Sequence, residues 1–504
     1  MEKLRVSATP WRDSLAAKIV FRISLLLILA TSACAPSISA AERSAQAESF
    51  PAAVSVDATP FSPRPNYKPG ELVDYTAQTG DTLPALASRF NTTVKEILAA
   101  NSFIPVDATT MPPGMPMKIP IYYLPLWADP YQIIPDHAFV NGPTLIGFDT
   151  AAFVNSQDGW LKNYRDYAGS AWRSGAGIVD YVASNFSVSP RLLLAILEYQ
   201  SGALSRPDSP SNPFVLGYTE KYHGNVYLQL VWAANTLNNG YYDWRMGTLT
   251  SFDLLDGSLY RPDPWENAAS VALQYYFSQT MQGDQFAAAV GPNGLARVYQ
   301  SLFGDPWQDP FVLIPGSLHQ PEIPLPFQVG QVWSYTGGLH TGWGTGDPFS
   351  AVDFAPPSDK SGCFAVDPKN YVIAVADGMV VRSELGTVVL DLDGDGNERT
   401  GWVIFYLHIA TIGRAPLGLN VKRGDFIGYP SCEGGHVTGT HVHIARKYNG
   451  EWILADGPLA FNFEGWTVHN GEAAYQGTLT KGSLVVTACE CSDLYSQIVR
   501  EYLP

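Results

Sequence analysis

Four histidines and one aspartate toward the C-terminal end have the types and spacing that metal-assisted hydrolysis needs. His441-Val442-His443 lies in a strand-like run, and residues i and i+2 of a strand point to one side. Two imidazoles therefore converge on one point. His408 closes the apolar run Trp402-Val403-Ile404-Phe405-Tyr406-Leu407, and His340 follows Gly337-Gly338 in an expected turn. Asp353 is flanked by Ala351-Val352 and Phe354-Ala355. A carboxylate among apolar neighbours needs a partner, and a cation is a good one. Three protein ligands and one open position make a catalytic zinc site. A base must then take a proton from the attacking water and an acid must protonate the leaving amine. Two imidazoles beyond the ligands suit both tasks near neutral pH.

The elements around these residues read as β structure. Val372-Ile373-Ala374-Val375-Ala376, Met379-Val380-Val381, Thr387-Val388-Val389-Leu390, 402–407 and Val442-His443-Ile444-Ala445 are β-branched or alternating, with Gly and Asp between them. An all-β domain is expected over 329–504. His340…Asp353, Ala374-x-Ala376-x-Gly378-x-Val380, Tyr406-x-His408, Val421-x-x-Gly424-Asp425-x-Ile427-Gly428 and Gly439-Thr440-His441-Val442-His443 together resemble the lysostaphin/LytM-type metallopeptidases over roughly 328–446. That resemblance implies a β-sheet groove and hydrolysis of cross-link or stem peptides of peptidoglycan. It implies His340, Asp353 and His443 as ligands of one zinc ion, with His408 and His441 in proton transfer and transition-state stabilisation. The family usually places its Asp only a few positions after the first His. Here the insertion Thr341-Gly342-Trp343-Gly344-Thr345-Gly346-Asp347-Pro348-Phe349 intervenes, which makes Asp347 a rival ligand and a wall of the substrate groove out of the inserted loop. His436, in Gly434-Gly435-His436, is expected on the groove surface. His137, His223, His319 and His469 carry no pattern.

Upstream, Tyr75-Thr76-x-x-x-Gly80-Asp81-Thr82-Leu83, then Ala87-x-x-Phe90, Ile97-Leu98-x-x-Asn101 and Ile119-Pro120 resemble a LysM module over 67–124. The resemblance implies a βααβ fold that binds N-acetylglucosamine of peptidoglycan or chitin. Gly80, Asp81 and Thr82, with the loop around Ser102-Phe103-Ile104, would line its sugar groove. Residues 125–310 read as mainly helical. Ser189-Pro190 starts a helix that ends Glu198-Tyr199-Gln200-Ser201-Gly202 and resembles the core helix of lysozyme-like lytic transglycosylases. Those enzymes carry a catalytic Glu where this chain has Gln200. An amide cannot donate the proton that glycoside cleavage needs, so a lysozyme-like domain without activity is expected. Residues 311–328, rich in Pro, read as a linker.

The N-terminus reads as an export signal over 1–34. Lys3, Arg5, Arg12, Lys18 and Arg22 precede an apolar stretch, Ile23–Ala30, too short to span a bilayer. Thr31-Ser32-Ala33-Cys34 resembles a lipobox, so Cys34 is a candidate lipid anchor; cleavage near Ser39-Ala40 is the alternative. Residues 35–66, rich in Ala, Ser and Pro, read as a disordered linker. The expected location is extracytoplasmic, in the cell envelope, where disulfides form. Cys363, Cys432, Cys489 and Cys491 allow three pairings, among which sequence does not choose. A net charge of −16 argues against nucleic acid, whose affinity rests on Lys and Arg at phosphates. Asp391-Leu392-Asp393-Gly394-Asp395-Gly396 starts like a Ca2+ loop. Trp402 stands where the twelfth-position Glu belongs, so a hairpin turn is the plainer reading. Three functions compete: a LysM-tethered zinc endopeptidase, a catalytically silent wall-binding regulator of other hydrolases, and glycan cleavage by the middle region. Gln200 counts against the third.

Overall fold

Two threonines define the first module. Thr82 accepts from the Ala85 amide and starts α1 (Leu83–Arg89); Thr93 and Glu96 form a reciprocal cap on α2 (Val94–Ala100). Strands β1 (Glu71–Thr76) and β2 (Pro116–Ile121) pair antiparallel beside them. Val73, Tyr75, Leu86, Phe90, Ile97 and Ile119 make a small core. The βααβ order expected of a LysM module is therefore present. The computed structural model describes residues 64–122 and 127–501. The expected signal segment, Cys34 and most of the first linker lie outside the described residues. No helix among the described residues is long and apolar enough to cross a membrane.

The middle region is built on α3 (Gly175–Phe186), α4 (Pro190–Ser201), α5 (Val226–Met246) and α6 (Ala268–Ser278). Ser189 caps α4 with Pro190 in its first turn, as expected. The lysozyme-like expectation rested on that one helix. Gln200 there accepts from the Tyr276 hydroxyl at 2.6 Å and donates to the Leu216 carbonyl at 3.1 Å. Glu198 accepts from the Leu204 and Ser205 amides. Both side chains are committed to holding the fold.

The last region is a nine-stranded sheet. Its main strands are β3 (Val332–Thr341), β4 (Phe349–Ala355), β5 (Gly378–Glu384), β6 (Thr387–Asp391), β7 (Trp402–Leu407), β8 (Asn420–Val421), β9 (Val442–Tyr448), β10 (Glu451–Trp452) and β11 (Gln497–Val499). They run in the order β8-β5-β6-β7-β9-β4-β3-β11, with β10 beside β9. A four-stranded meander over 462–487 packs nearby. One face of the sheet (Val352, Phe354, Ile404, Tyr406, Val442, Ile444) closes a core with Phe327, Trp333 and Phe463. The other face (Ala351, Val403, Phe405, Leu407, Ala445, Trp452) shares a core with α3, α5 and α6. His443 stands opposite both Leu407 and Asp353 in register. Residues directly opposite share a face, so the helical layer covers the same face that carries the histidine site.

Two expectations change, His340 and the 311–328 segment, and the expected hairpin after Asp391 is present. His340 is not in a turn: it lies in β3, whose register against β4 shifts at Gly337 and again at His340. The 311–328 segment is not a free linker, because Leu313, Ile314, Leu318, Ile323, Leu325 and Phe327 alternate with its prolines and are buried. Asp391-to-Trp402 is a hairpin joining β6 and β7, with Asp391 accepting from the Asp393 and Gly396 amides.

Candidate metal centre

The strands bring His340, Asp353 and His443 together, the trio that the family resemblance implied. His340 Nε2 lies 2.9 Å from His443 Nδ1 and 3.2 Å from Asp353 Oδ1; His443 Nδ1 is 3.3 Å from that oxygen. Tetrahedral ligands at zinc bond lengths of about 2.0–2.1 Å stand about 3.3 Å apart, close to these separations. His441 Nε2 is 3.6 Å from Asp353 Oδ2, and the His408 and His441 rings are 4.5 Å apart.

Each imidazole is fixed from outside by a peptide carbonyl. His340 Nδ1 faces Gly338 O at 2.7 Å, and His443 Nε2 faces Gly342 O at 3.2 Å. His408 Nδ1 faces Glu433 O at 2.9 Å, and His441 Nδ1 faces Gly439 O at 2.8 Å. A carbonyl only accepts, so the ring nitrogen facing it must carry the proton. In the neutral rings the inward nitrogens are then all lone pairs. His340 Nε2 and His443 Nδ1 would face each other with no proton between them. Asp353 Oδ1 is buried beside both and accepts no hydrogen bond. Two lone pairs and an unserved carboxylate oxygen at mutual contact call for a cation, and the donor set of two imidazoles and one carboxylate suits Zn2+.

Burial and charge pull against each other at this cluster. Burial opposes ionisation of Asp353, yet the imidazoles of His340 and His441 hold its carboxyl well below the usual range. Burial would lower His340, and the charge of Asp353 outweighs it and raises this imidazole. His443 is lowered by burial despite Asp353. His408 falls to about 3, chiefly through burial and then through His441 and His443. It is therefore a neutral base over the physiological range. Its backbone is left-handed, with φ 63°, a conformation costing roughly 1–3 kcal/mol in a non-glycine residue. Ser431 restrains it by donating twice to the His408 carbonyl, from the amide at 2.7 Å and the hydroxyl at 3.0 Å. A Cys363–Cys432 disulfide fixes the chain next to Glu433, whose carbonyl orients His408. The second pair is Cys489–Cys491.

Asp347 does not join the cluster. Its amide donates to Asn239 Oδ1 at 2.9 Å, and Thr345 donates to Asn235 Oδ1 at 2.9 Å. The inserted loop is thus spread along α5, which is why Asp353 and not Asp347 meets the histidines. His436 is exposed in the loop beyond Glu433. In the first module, Asp81 is buried and accepts from Tyr75, the Gln78 amide and Arg89. Its carboxylate shapes the turn and is not free for a sugar. Gly80 lies against the Arg245 guanidinium of α5, where a Cβ would come within 2.5 Å. Thr82 is half-buried and serves as the α1 cap.

Sequence reasoning missed Tyr475. Its ring stacks on His340 with centroids 4.3 Å apart, and its amide donates to the Leu339 carbonyl at 2.9 Å. Burial, then the charges of Asp353 and Glu490, raise its phenol. It comes from a Gly- and Ala-containing loop with no period, so only the unusual placement of a lone aromatic signals it.

The family model described as "LasA, N-terminal domain" matches residues 132–318, and the one described as "LysM domain" matches 75–120. The chain is 24% identical over 346 residues to "Protease LasA" of Pseudomonas aeruginosa, 64% of this chain and 75% of that protein. It is 28% identical over 189 residues to "Beta-lytic metalloendopeptidase" of Achromobacter lyticus, 36% of this chain and 40% of that protein. Among solved structures, pseudoalterin, titled a novel M23 metalloprotease from the deep sea, is 22% identical with a TM-score of 0.28, covering 34% of this chain and 96% of that one.

Proposed function

We propose that this LysM-bearing metallopeptidase is a zinc-dependent endopeptidase acting on peptide bonds of bacterial cell-wall peptidoglycan, outside the cytoplasm. The observation that carries the zinc reading is the convergence of two imidazole lone pairs on an unserved Asp353 oxygen. His340, Asp353 and His443 would hold the ion, which when bound supplies Lewis acidity toward a peptide carbonyl. His441 and His408 present carbonyl-oriented rings whose inward nitrogens can accept and return a proton. The LysM module would supply affinity for glycan and so raise the local concentration of stem peptides. A lipid at Cys34 would add membrane attachment.

The rival reading is a silent wall-binding regulator. One observation favours it for the arrangement described: Phe405, Ala445 and Trp452, on the site's own face, are buried under the helical layer. Digestion of purified peptidoglycan by intact and proteolytically nicked chain, with and without chelator, separates the two. New amino termini that vanish with chelator and return with zinc establish the peptidase and identify its bond. No release from either form under any condition establishes the regulator.

A further inference from the structure

The LysM module is not presented to solvent on all sides. Its Thr79–Thr82 turn is joined to the Thr110–Met111 segment by the Met111 amide, which donates to the Asp81 carbonyl at 2.8 Å. Against these two pieces lies residue stretch 313–318 of the same chain. Ile314 N donates to Thr79 Oγ1 at 2.8 Å, and that hydroxyl donates back to Ile314 O at 3.2 Å. Thr110 Oγ1 donates to Pro315 O at 2.7 Å and accepts from Leu318 N at 3.1 Å; Ser317 N donates to Thr110 O at 2.9 Å. Thr109 Oγ1 donates to Leu318 O at 2.7 Å. Ile314 and Leu318 are buried, and Gly316 approaches so closely that a Cβ would sit 2.5 Å from Pro112. On the far side of the turn, Arg245 donates to the Thr79 carbonyl and is ion-paired with Asp136 and Glu451. The other expected wall, Ser102 and Phe103, stays exposed.

The segment thus offers amide N–H and C=O groups to threonine hydroxyls beside the expected sugar groove. An N-acetylated sugar carries the same pair in its acetamido group. We propose that residues 314–318 act as an internal competitor for the LysM groove, so that acetamido-glycan binding and the packing of the module on the rest of the chain are mutually exclusive. This rests on the glycan-binding reading of the module. Apparent affinity then falls by the fraction of molecules in which the segment is displaced. Wall glycan does more than tether the chain: it releases the module from Arg245 and the 313–318 stretch.

Two measurements on the full chain test this, with soluble N-acetylglucosamine oligomers as probe. Site-resolved hydrogen exchange of the wild type should show the Ile314, Ser317 and Leu318 amides losing protection when oligomer binds. Gly316→Val, which drives the segment off Pro112 and changes nothing in the module, should bind oligomer at least about ten-fold more tightly. Oligomer binding with those amides still protected, or equal affinity of the two forms, overturns the competition while leaving the glycan reading intact. Absence of binding by both forms sinks the glycan reading and the competition with it.

Discussion

Two of the buried ionic clusters among the described residues solve the same problem in opposite ways. At Arg245, one guanidinium lies between two carboxylates, 3.1 Å from Asp136 and 3.2 Å from Glu451, and the Tyr241 hydroxyl and the Thr79 carbonyl also accept from it. The charges come from three sequence-distant regions and are answered inside the chain. At Asp353, one carboxylate meets three imidazoles whose protons are all turned outward to carbonyls. Its charge is answered by nothing permanent. A cluster that carries its own counter-charge fixes structure; one built from lone pairs around an anion is set up for a ligand. The comparison separates a clamp from a metal site without any appeal to position in the sequence.

The largest expected effects break the open cluster. His443→Ala should abolish zinc uptake and hydrolysis together, read by metal analysis and peptidoglycan release, with the far-ultraviolet spectrum unchanged. His441→Ala should keep stoichiometric zinc and lose about 10²–10⁴-fold in kcat, the usual contribution of a positioned acid or base. If His441→Ala instead lost the ion, the division into ligands and proton carriers would fall. The closed cluster should respond in stability. Arg245→Met leaves Asp136 and Glu451 buried without their cation, a change costing roughly 3–5 kcal/mol. Urea unfolding should register that loss while zinc content per folded chain stays at the wild-type value. A matching loss of zinc would mean the clusters are not independent.

The open cluster was legible in the sequence for a physical reason. Strand alternation puts His441 and His443 on one side, and a carboxylate amid Ala351, Val352 and Phe354 announces an unmet charge. The Ser189-Pro190 start of α4 was equally local and equally legible. Arg245 was not. Its partners Thr79, Asp136 and Glu451 are far apart in the chain, and no periodicity links an arginine at a helix end to a glutamate on a two-residue strand. The 311–328 segment has the same origin: Pro spacing shows that it is not helical, but not that Ile314 and Leu318 are buried. Two glycines ahead of His340 predict a turn. The strand runs through them by shifting register, which only the pairing with β4 reveals.

Asp347, a half-buried carboxylate, sharpens the comparison because it has neither arginine nor converging imidazoles. Burial first, and then the charge of Asp243, push its carboxyl up to about 7. Its remaining solution is a proton. With the folded value raised above the ordinary 3.8, the unfolded chain binds fewer protons than the folded one between the two values. Stability from this group is therefore fully present below the ordinary carboxylate range and is lost as pH rises through about 7. The effect should be felt where Asp347 sits, in the seating of the inserted loop on α5 through Asn235 and Asn239. Exchange of the Thr345 and Asp347 amides should quicken between about pH 4 and pH 7 beyond the intrinsic chemical rate and level off above that, by an amount set by at most about one proton. Asp347→Asn should remove that excess and leave zinc binding alone. A pH-dependent zinc loss that Asp347→Asn abolishes would instead make this carboxylate part of the metal centre, and the distinction between the anion that takes a proton and the anion that waits for a metal would collapse.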